Sequence, residues 1–199
     1  MNLYLVRHGY TEENSKGTYY GDIDVGLNNI GELQCKFLKE KLSEVEFSCV
    51  YTSTKKRAIQ SAELILKNKE YNLIKSEKLN ERSFGIFEGL DYIELEKSYK
   101  EEYKAWSKDW IGYKIKNGES HLEFSNRVYE FLEHILDKHK NQENLLLVCH
   151  GGVIRAIYTY IMNKQVDLFW KFACKNGDLA IIKYEYGNLY IDSISHNKY

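Results

Sequence analysis

Leu3-Tyr4-Leu5-Val6-Arg7-His8-Gly9, near the start, and Leu145-Leu146-Leu147-Val148-Cys149-His150-Gly151-Gly152, far downstream, end alike: an apolar run closes on histidine and glycine. A continuous apolar run of this length reads as a strand buried on both faces, the pattern of a parallel sheet covered by helices. Ligands of open parallel α/β sheets collect just beyond the carboxyl ends of the strands. Both imidazoles are therefore expected in one crevice. A single histidine after a strand is more often a hydrogen-bonded turn residue, but two such endings among six histidines point to a shared site.

Outward from these runs, strand and helix signals alternate. A strand at 2–7 leads through a glycine-rich loop ending at Gly31 to a helix at about 29–43, a strand at 47–52, a helix at 54–68 and a short strand near 72–76. A loop from Leu79 to Gly89 follows, then helical segments at about 91–108 and 119–140, a strand at 144–149, a helix at 152–163, and strands at 179–186 and 189–194 around Gly187-Asn188. Such alternation predicts an α/β fold: a three-layer, doubly wound, mostly parallel sheet with helices on both faces and an antiparallel C-terminal edge. Leu122, Val128, Leu132, Ile135 and Leu136 are expected to form the core face of the 119–140 helix.

The 199 residues suit one domain, 1–199, with a covering insertion at about 89–120. Net charge is −1, from 28 basic and 29 acidic residues, so bulk electrostatics favours neither nucleic acid nor a membrane surface. The first residues reach Arg7 too soon for a secretory segment, and a cytoplasmic protein is expected. Cys35, Cys49, Cys149 and Cys174 are scattered, without C-x-x-C spacing, which argues against zinc knuckles and a disulfide framework. Cys149, beside His150, is a competing nucleophile, although alternation along a strand sends the two side chains to opposite faces. Proline is absent and tyrosine abundant, at 17 residues.

Arg7 and Arg57 supply charge suited to a phosphate, and Asn14 adds a neutral donor. A neutral imidazole attacks phosphorus only if one nitrogen is unprotonated and aimed, which requires the other N–H to be held by an acceptor. His8, at the end of the first strand, fits. Arg7, Arg57 and His150 would then neutralise the phosphoryl oxygens without a metal, and neither metal nor cofactor is expected.

Leu5-Val6-Arg7-His8-Gly9 with Thr11, Asn14, Asp24, Leu27, Gly31 and Gln34 resembles the first motif of the histidine phosphatase superfamily, the phosphoglycerate-mutase-like proteins. Ser53-x3-Arg57-Ala58-x-Gln60-Ser61-Ala62, Leu79-Asn80-Glu81-x2-Phe84-Gly85-x2-Glu88-Gly89 and His150-Gly151-Gly152-x-Ile154-Arg155 are similar to its later motifs, in the same order. The resemblance covers most of the chain. It implies a phosphohistidine mechanism with His8 as nucleophile, His150 as its catalytic partner, Glu81 as proton donor, and Arg7, Asn14, Arg57 and Gly151 around the phosphate. Glu88 is the alternative acid, Glu12 and Glu13 read as solvated charges, and Tyr10 stands where the family usually has glutamate.

The loop from Asn14 to Asp24, the Trp106-x3-Trp110 spacing and Asn117-Gly118-Glu119-x4-Phe124-x2-Arg127 resemble the α-ribazole phosphatase branch. That likeness implies hydrolysis of a small-molecule phosphate ester in cobalamin nucleotide-loop assembly, with Tyr20, Gly21, Arg82, Trp106 and Trp110 toward the substrate. Trp106 and Trp110, four apart on one expected helix, would share a face. Phosphoglycerate mutase, a broad-specificity sugar-phosphate or phosphoprotein phosphatase, and a non-catalytic phosphate-binding module are the competing functions. A homodimer is compatible with all of them.

Overall fold

The computed structural model describes residues 1–140 and 143–197. Strands β1 (Asn2–Arg7), β2 (Cys49–Thr52), β3 (Leu73–Lys75), β4 (Asn144–Cys149), β5 (Leu179–Glu185) and β6 (Asn188–Ser195) form one sheet in the order β3-β2-β4-β1-β5-β6. β1, β2, β3 and β4 run parallel, while β5 and β6 pair antiparallel at the C-terminal edge. The helices are α1 (Glu12–Lys16), α2 (Asn29–Lys41), α3 (Lys56–Ile65), α4 (Tyr92–Ser98), α5 (Lys100–Lys108), α6 (His121–Lys138) and α7 (Gly151–Ile161). Among the described residues no helix is long and apolar enough to cross a membrane.

Strand alternation sorts the apolar runs onto two faces. Leu3, Leu5, Leu145 and Leu147 bury against Val128 and Leu132 of α6 and Val153 and Ile157 of α7. Val6, Val50, Leu146 and Val148 face the other way, onto Cys35 and Leu38 of α2 and Ala58 and Ala62 of α3. Each fully buried leucine here contributes roughly 1.5–3 kcal/mol, and slipping by one residue would exchange the two faces. Packing therefore fixes the register that sets Arg7 opposite Cys149. A third cluster centred on Phe87, Leu95 and Ile115 gathers Tyr99, Tyr103 and Trp106 and anchors α4 and α5.

Four local expectations change. The glycine-rich loop contains a helical turn, α1, because Thr11 caps it: its side chain accepts from the Asn14 amide while Asn14 answers the Thr11 amide. The 91–108 segment breaks at Tyr99, whose ring packs 6.4 Å from Phe87, so burial of the ring overrides helix continuity. α5 ends at Lys108, where the Asp109 carboxylate accepts the Gly112 amide, and Trp110 leaves the helix rather than sharing a face with Trp106. Leu122 is 46% exposed. Six residues from Val128, it lies about 240° away around the helix, and Phe124 and Ser125 take the buried stripe instead.

Candidate active site

The β1–β4 register brings the two histidines together, since the residues just beyond Arg7 and Cys149 are His8 and His150. The His8 amide continues the ladder to the Cys149 carbonyl at 2.9 Å, and the imidazole centroids lie 5.1 Å apart at 62°. His8 Nδ1 sits 2.8 Å from the Gly9 carbonyl. A carbonyl only accepts, so the neutral ring carries its proton on Nδ1 and its lone pair on Nε2. Burial, then the charges of Arg57 and Arg7, hold His8 well below the ordinary histidine range. At neutral pH it is uncharged, with Nε2 unprotonated.

His150 is held differently. Arg57 Nε donates to its Nδ1 at 3.3 Å, so the proton lies on Nε2 and is given to Ser53 Oγ at 2.8 Å. Burial and the neighbouring Arg57 push its pKa well down as well. Arg57 is fully buried, the second residue of α3, and donates to the carbonyls of Ile23 at 2.7 Å and Gly21 at 2.8 Å. Its guanidinium thus ties the 21–23 loop to His150 at the end of β4. Arg7 Nη1 donates to the Cys174 carbonyl at 2.6 Å.

Asn176 organises the surroundings of His8. Its side-chain amide donates to the His8 carbonyl at 3.1 Å and to Asn14 Oδ1 at 3.1 Å. With its oxygen taken by Asn176 and Thr11, Asn14 turns its own NH₂ the other way. Sequence reading did not select Asn176, and it quoted Ser53 within a motif without giving it a role. The available signals were the Asn176-Gly177 turn dipeptide and the Ser53-Thr54 pair closing β2.

Glu81 reaches the first turn of α7, where its carboxylate accepts the Gly152 amide at 2.9 Å and its own neighbour's amide, Arg82 N, at 3.0 Å. Glycine at 152 permits this approach, because a Cβ there would overlap Glu81 Oε1. Glu88, the alternative acid, is committed elsewhere: it accepts the amides of Gly21, Asp22, Ile23 and Phe84 and so shapes the loop that Arg57 also grips.

Above these groups opens a cavity of about 340 Å³. Arg7, Asn14, Tyr20, Glu81, Arg82 and Gly152 line it, whereas His8, Arg57 and His150 are buried behind the lining, 3%, 0% and 0% exposed. Gly151 and Gly21 do not line it: Gly151 packs against Arg7, and Gly21 presents its carbonyl to Arg57. Tyr20 does, with its ring 4.8 Å from Arg57 Cζ and its hydroxyl 3.0 Å from Thr11 Oγ1. Arg82 is nearly buried, and burial draws its pKa down to about 10, leaving it charged at neutrality. Glu13 also lines the cavity, only 13% exposed and paired with Lys16, so it is not a solvated charge.

The remaining walls are aromatic. Trp106 enters from the third cluster, 5.6 Å from Tyr19, and Trp110 packs at a tilt with its ring centroid 4.6 Å from that of His121. Phe169, Trp170 and Arg155 complete this side, with the guanidinium 5.1 Å from the Trp170 ring; Phe169 and Trp170 were not selected from sequence, and Arg155 entered only as the last residue of the final motif. Among the described residues there is no group of three or more His, Cys, Asp or Glu side chains able to hold a metal ion.

The pattern of the histidine phosphatase superfamily (branch 1) matches residues 3–197. Phosphoserine phosphatase 1 of Hydrogenobacter thermophilus is 31% identical over 185 residues, 93% of this chain and 87% of that protein. The adenosylcobalamin/alpha-ribazole phosphatase of Salmonella typhimurium is 33% identical over 177 residues, 89% and 87% of the two chains. The crystal structure of the alpha-ribazole phosphatase from Shigella flexneri superposes with a TM-score of 0.90 at 30% identity, over 96% of this chain and 94% of that one. With its two strand-end histidines meeting above one mostly parallel sheet, the chain belongs to the histidine phosphatase superfamily, branch 1.

Proposed function

We propose that this chain is a phosphomonoesterase, acting through a phosphohistidine on a small ester that carries a flat ring, with α-ribazole 5′-phosphate as substrate. The observation that supports it most is His8: neutral, with Nδ1–H on the Gly9 carbonyl and Nε2 left to attack, beside Arg7. In the first step the Nε2 lone pair forms a bond to phosphorus as the ester P–O bond breaks. Glu81 delivers its proton to the departing 5′-oxygen. Water then attacks the phosphohistidine, Glu81 takes a proton from it, and the P–N bond breaks to release inorganic phosphate and return the lone pair to His8. Arg7 and Arg57, with the Asn14 amide, offset charge on the phosphoryl oxygens. His150 donates to Ser53 in this state, so its share in charge stabilisation requires that hydrogen bond to be exchanged for one to phosphate.

The aromatic walls suit a ring-bearing leaving group, because Trp110, Phe169 and Trp170 offer ring faces beside the charged Arg82, Arg155 and Glu13. We read residues 1–199 as one catalytic domain whose segment at about 89–120 forms the cover. Four buried, unbridged cysteines fit a reducing cytoplasm.

The test compares kcat/KM for α-ribazole 5′-phosphate, phosphoserine, 3-phosphoglycerate and a ring-free alkyl phosphate. α-Ribazole phosphate is expected to lead, and Trp110→Ala to lower its kcat/KM by roughly 2- to 13-fold, the equivalent of one lost ring contact, while leaving the ring-free ester nearly unchanged. Equal turnover of ring-bearing and ring-free esters by the unmodified protein would replace this reading with a broad-specificity phosphatase.

A further inference from the structure

Behind the cavity wall, Arg127 of α6 makes an unusual set of contacts. All five of its N–H groups are used. Nε and Nη2 hold the two oxygens of Glu119 at 2.7 and 2.9 Å, side by side. Nη1 donates to the carbonyls of Lys78 at 3.0 Å and Asn80 at 2.9 Å, and Nη2 also donates to the Glu81 carbonyl at 3.1 Å. The guanidinium lies 4.8 Å from the Phe124 ring.

Glu119 grips the same stretch from the other side. Its carboxylate accepts the Ser83 amide at 3.0 Å, its own amide donates to the Ser83 carbonyl at 3.0 Å, and its carbonyl accepts Arg82 Nε at 3.1 Å. Residues 80–83 follow a short 3₁₀ turn at Glu77–Leu79 and belong to no strand or helix. Carbonyls there have no ladder to join, so each needs a partner from elsewhere. Arg127 supplies two of them, for Asn80 and Glu81, and holds the Lys78 carbonyl of the 3₁₀ turn as well.

Neither Arg127 nor Glu119 lines the cavity, so neither is placed to touch a substrate. Their contacts end on the backbone from which Glu81 extends to the Gly152 amide. We infer that Arg127, oriented by Glu119, is a positioning residue for the acid: it fixes the carbonyls of 78, 80 and 81 and thereby the aim of the Glu81 carboxyl at the leaving oxygen. The inference rests on the reading of Glu81 as proton donor. It also gives the covering segment a second task, since Glu119 stands at its end, next to the Ser120 cap of α6, and ties it to the acid-bearing loop. Lysine could not substitute: one ammonium cannot span a carboxylate and three carbonyls in a planar fork.

The experiment uses the full chain and two esters, an alkyl phosphate whose alkoxide needs a proton and 4-nitrophenyl phosphate, whose phenolate does not. Arg127→Lys and Glu119→Gln are each expected to lower kcat on the alkyl ester with KM little changed. A displacement near 1 Å costs about 10²-fold, and the nitrophenyl ester should lose only a few-fold. In a Glu81→Gln background the same substitutions should cost nothing more on the alkyl ester. Equal losses on both esters, or losses that multiply with Glu81→Gln, would overturn the inference and leave a role in folding alone. If Glu81→Gln itself treats the two esters alike, the acid assignment falls and the clamp with it. If Glu81→Gln discriminates and the Arg127 and Glu119 variants do not, only the clamp falls. Thermal unfolding of each variant separates misfolding from misaiming, and Glu119→Gln, which preserves size, serves if Arg127→Lys does not fold.

Discussion

Gly152→Ala should convert the enzyme into one that lacks its proton donor while leaving the fold intact. An alanine Cβ would overlap Glu81 Oε1, lie 3.0 Å from Glu81 Cδ and 3.2 Å from Phe124 Cζ. Phe124 is a packed core residue and the backbone of α7 is set by the sheet beneath it, so the carboxylate is the part that moves. It then loses its 2.9 Å hydrogen bond from the Gly152 amide, worth about 1 kcal/mol, against a gain of up to about 1 kcal/mol for replacing glycine by alanine in a helix. The melting temperature should therefore shift by only a few degrees. Loss of a general acid costs about 10²–10⁴-fold, or roughly 3–5 kcal/mol of barrier, so kcat on an alkyl phosphate should fall within that range. On 4-nitrophenyl phosphate the loss should stay below about 10-fold, because the phenolate leaves without a proton. Steady-state kinetics on both esters, with a thermal scan of the variant, checks this. Undiminished alkyl-ester turnover would refute the placement of Glu81 in the working site, and equal losses on both esters would shift the role of Gly152 to phosphate binding.

His8→Ala should abolish turnover, and rapid acid-free quenching of the unmodified protein with labelled substrate should trap a base-stable, acid-labile adduct on His8; label on Cys149 would reject the assignment. Acid should destabilise the fold above the range where carboxylates titrate. His8 and His150 are held well below the usual value and His121 is pushed down to about 4, all chiefly by burial, so the unfolded chain takes up protons that the native state refuses. Stability is then complete above about pH 6.5 and falls as the pH drops through it, by about 1.4 kcal/mol per pH unit for each histidine and roughly 4 for the three together, toward pH 5. Urea unfolding at pH 7, 6 and 5 measures the slope, and a midpoint that does not move over this range would contradict neutral burial of these rings.

Much of the candidate site was present in local sequence. Two apolar runs ending in His-Gly specify two buried strands and their exits, because a strand buried on both faces leaves an unbroken apolar signature that needs no tertiary information. That pattern alone predicted the meeting of His8 with His150, while the alternation of strand and helix signals predicted the α/β layering and the closing strands around Gly187-Asn188 the antiparallel edge. The need for a carbonyl on one imidazole nitrogen was also foreseeable from chemistry, and the Gly9 carbonyl meets it. Only the folded chain decided the rest. Asn176 and Ser53 act on histidines 168 and 97 residues away, through hydrogen bonds that carry no periodic signal. Trp110 left its expected helix because Asp109 caps the turn and His121 offers a ring to pack against, and Trp170 joins the cavity from a segment beyond α7. Glu88 and Glu81 are both glutamates of one loop; four backbone amides occupy the first, and a glycine without a side chain admits the second to the head of α7. Side-chain roles of this kind depend on which backbone groups are left unpaired nearby, a property of the three-dimensional fold and not of residue order.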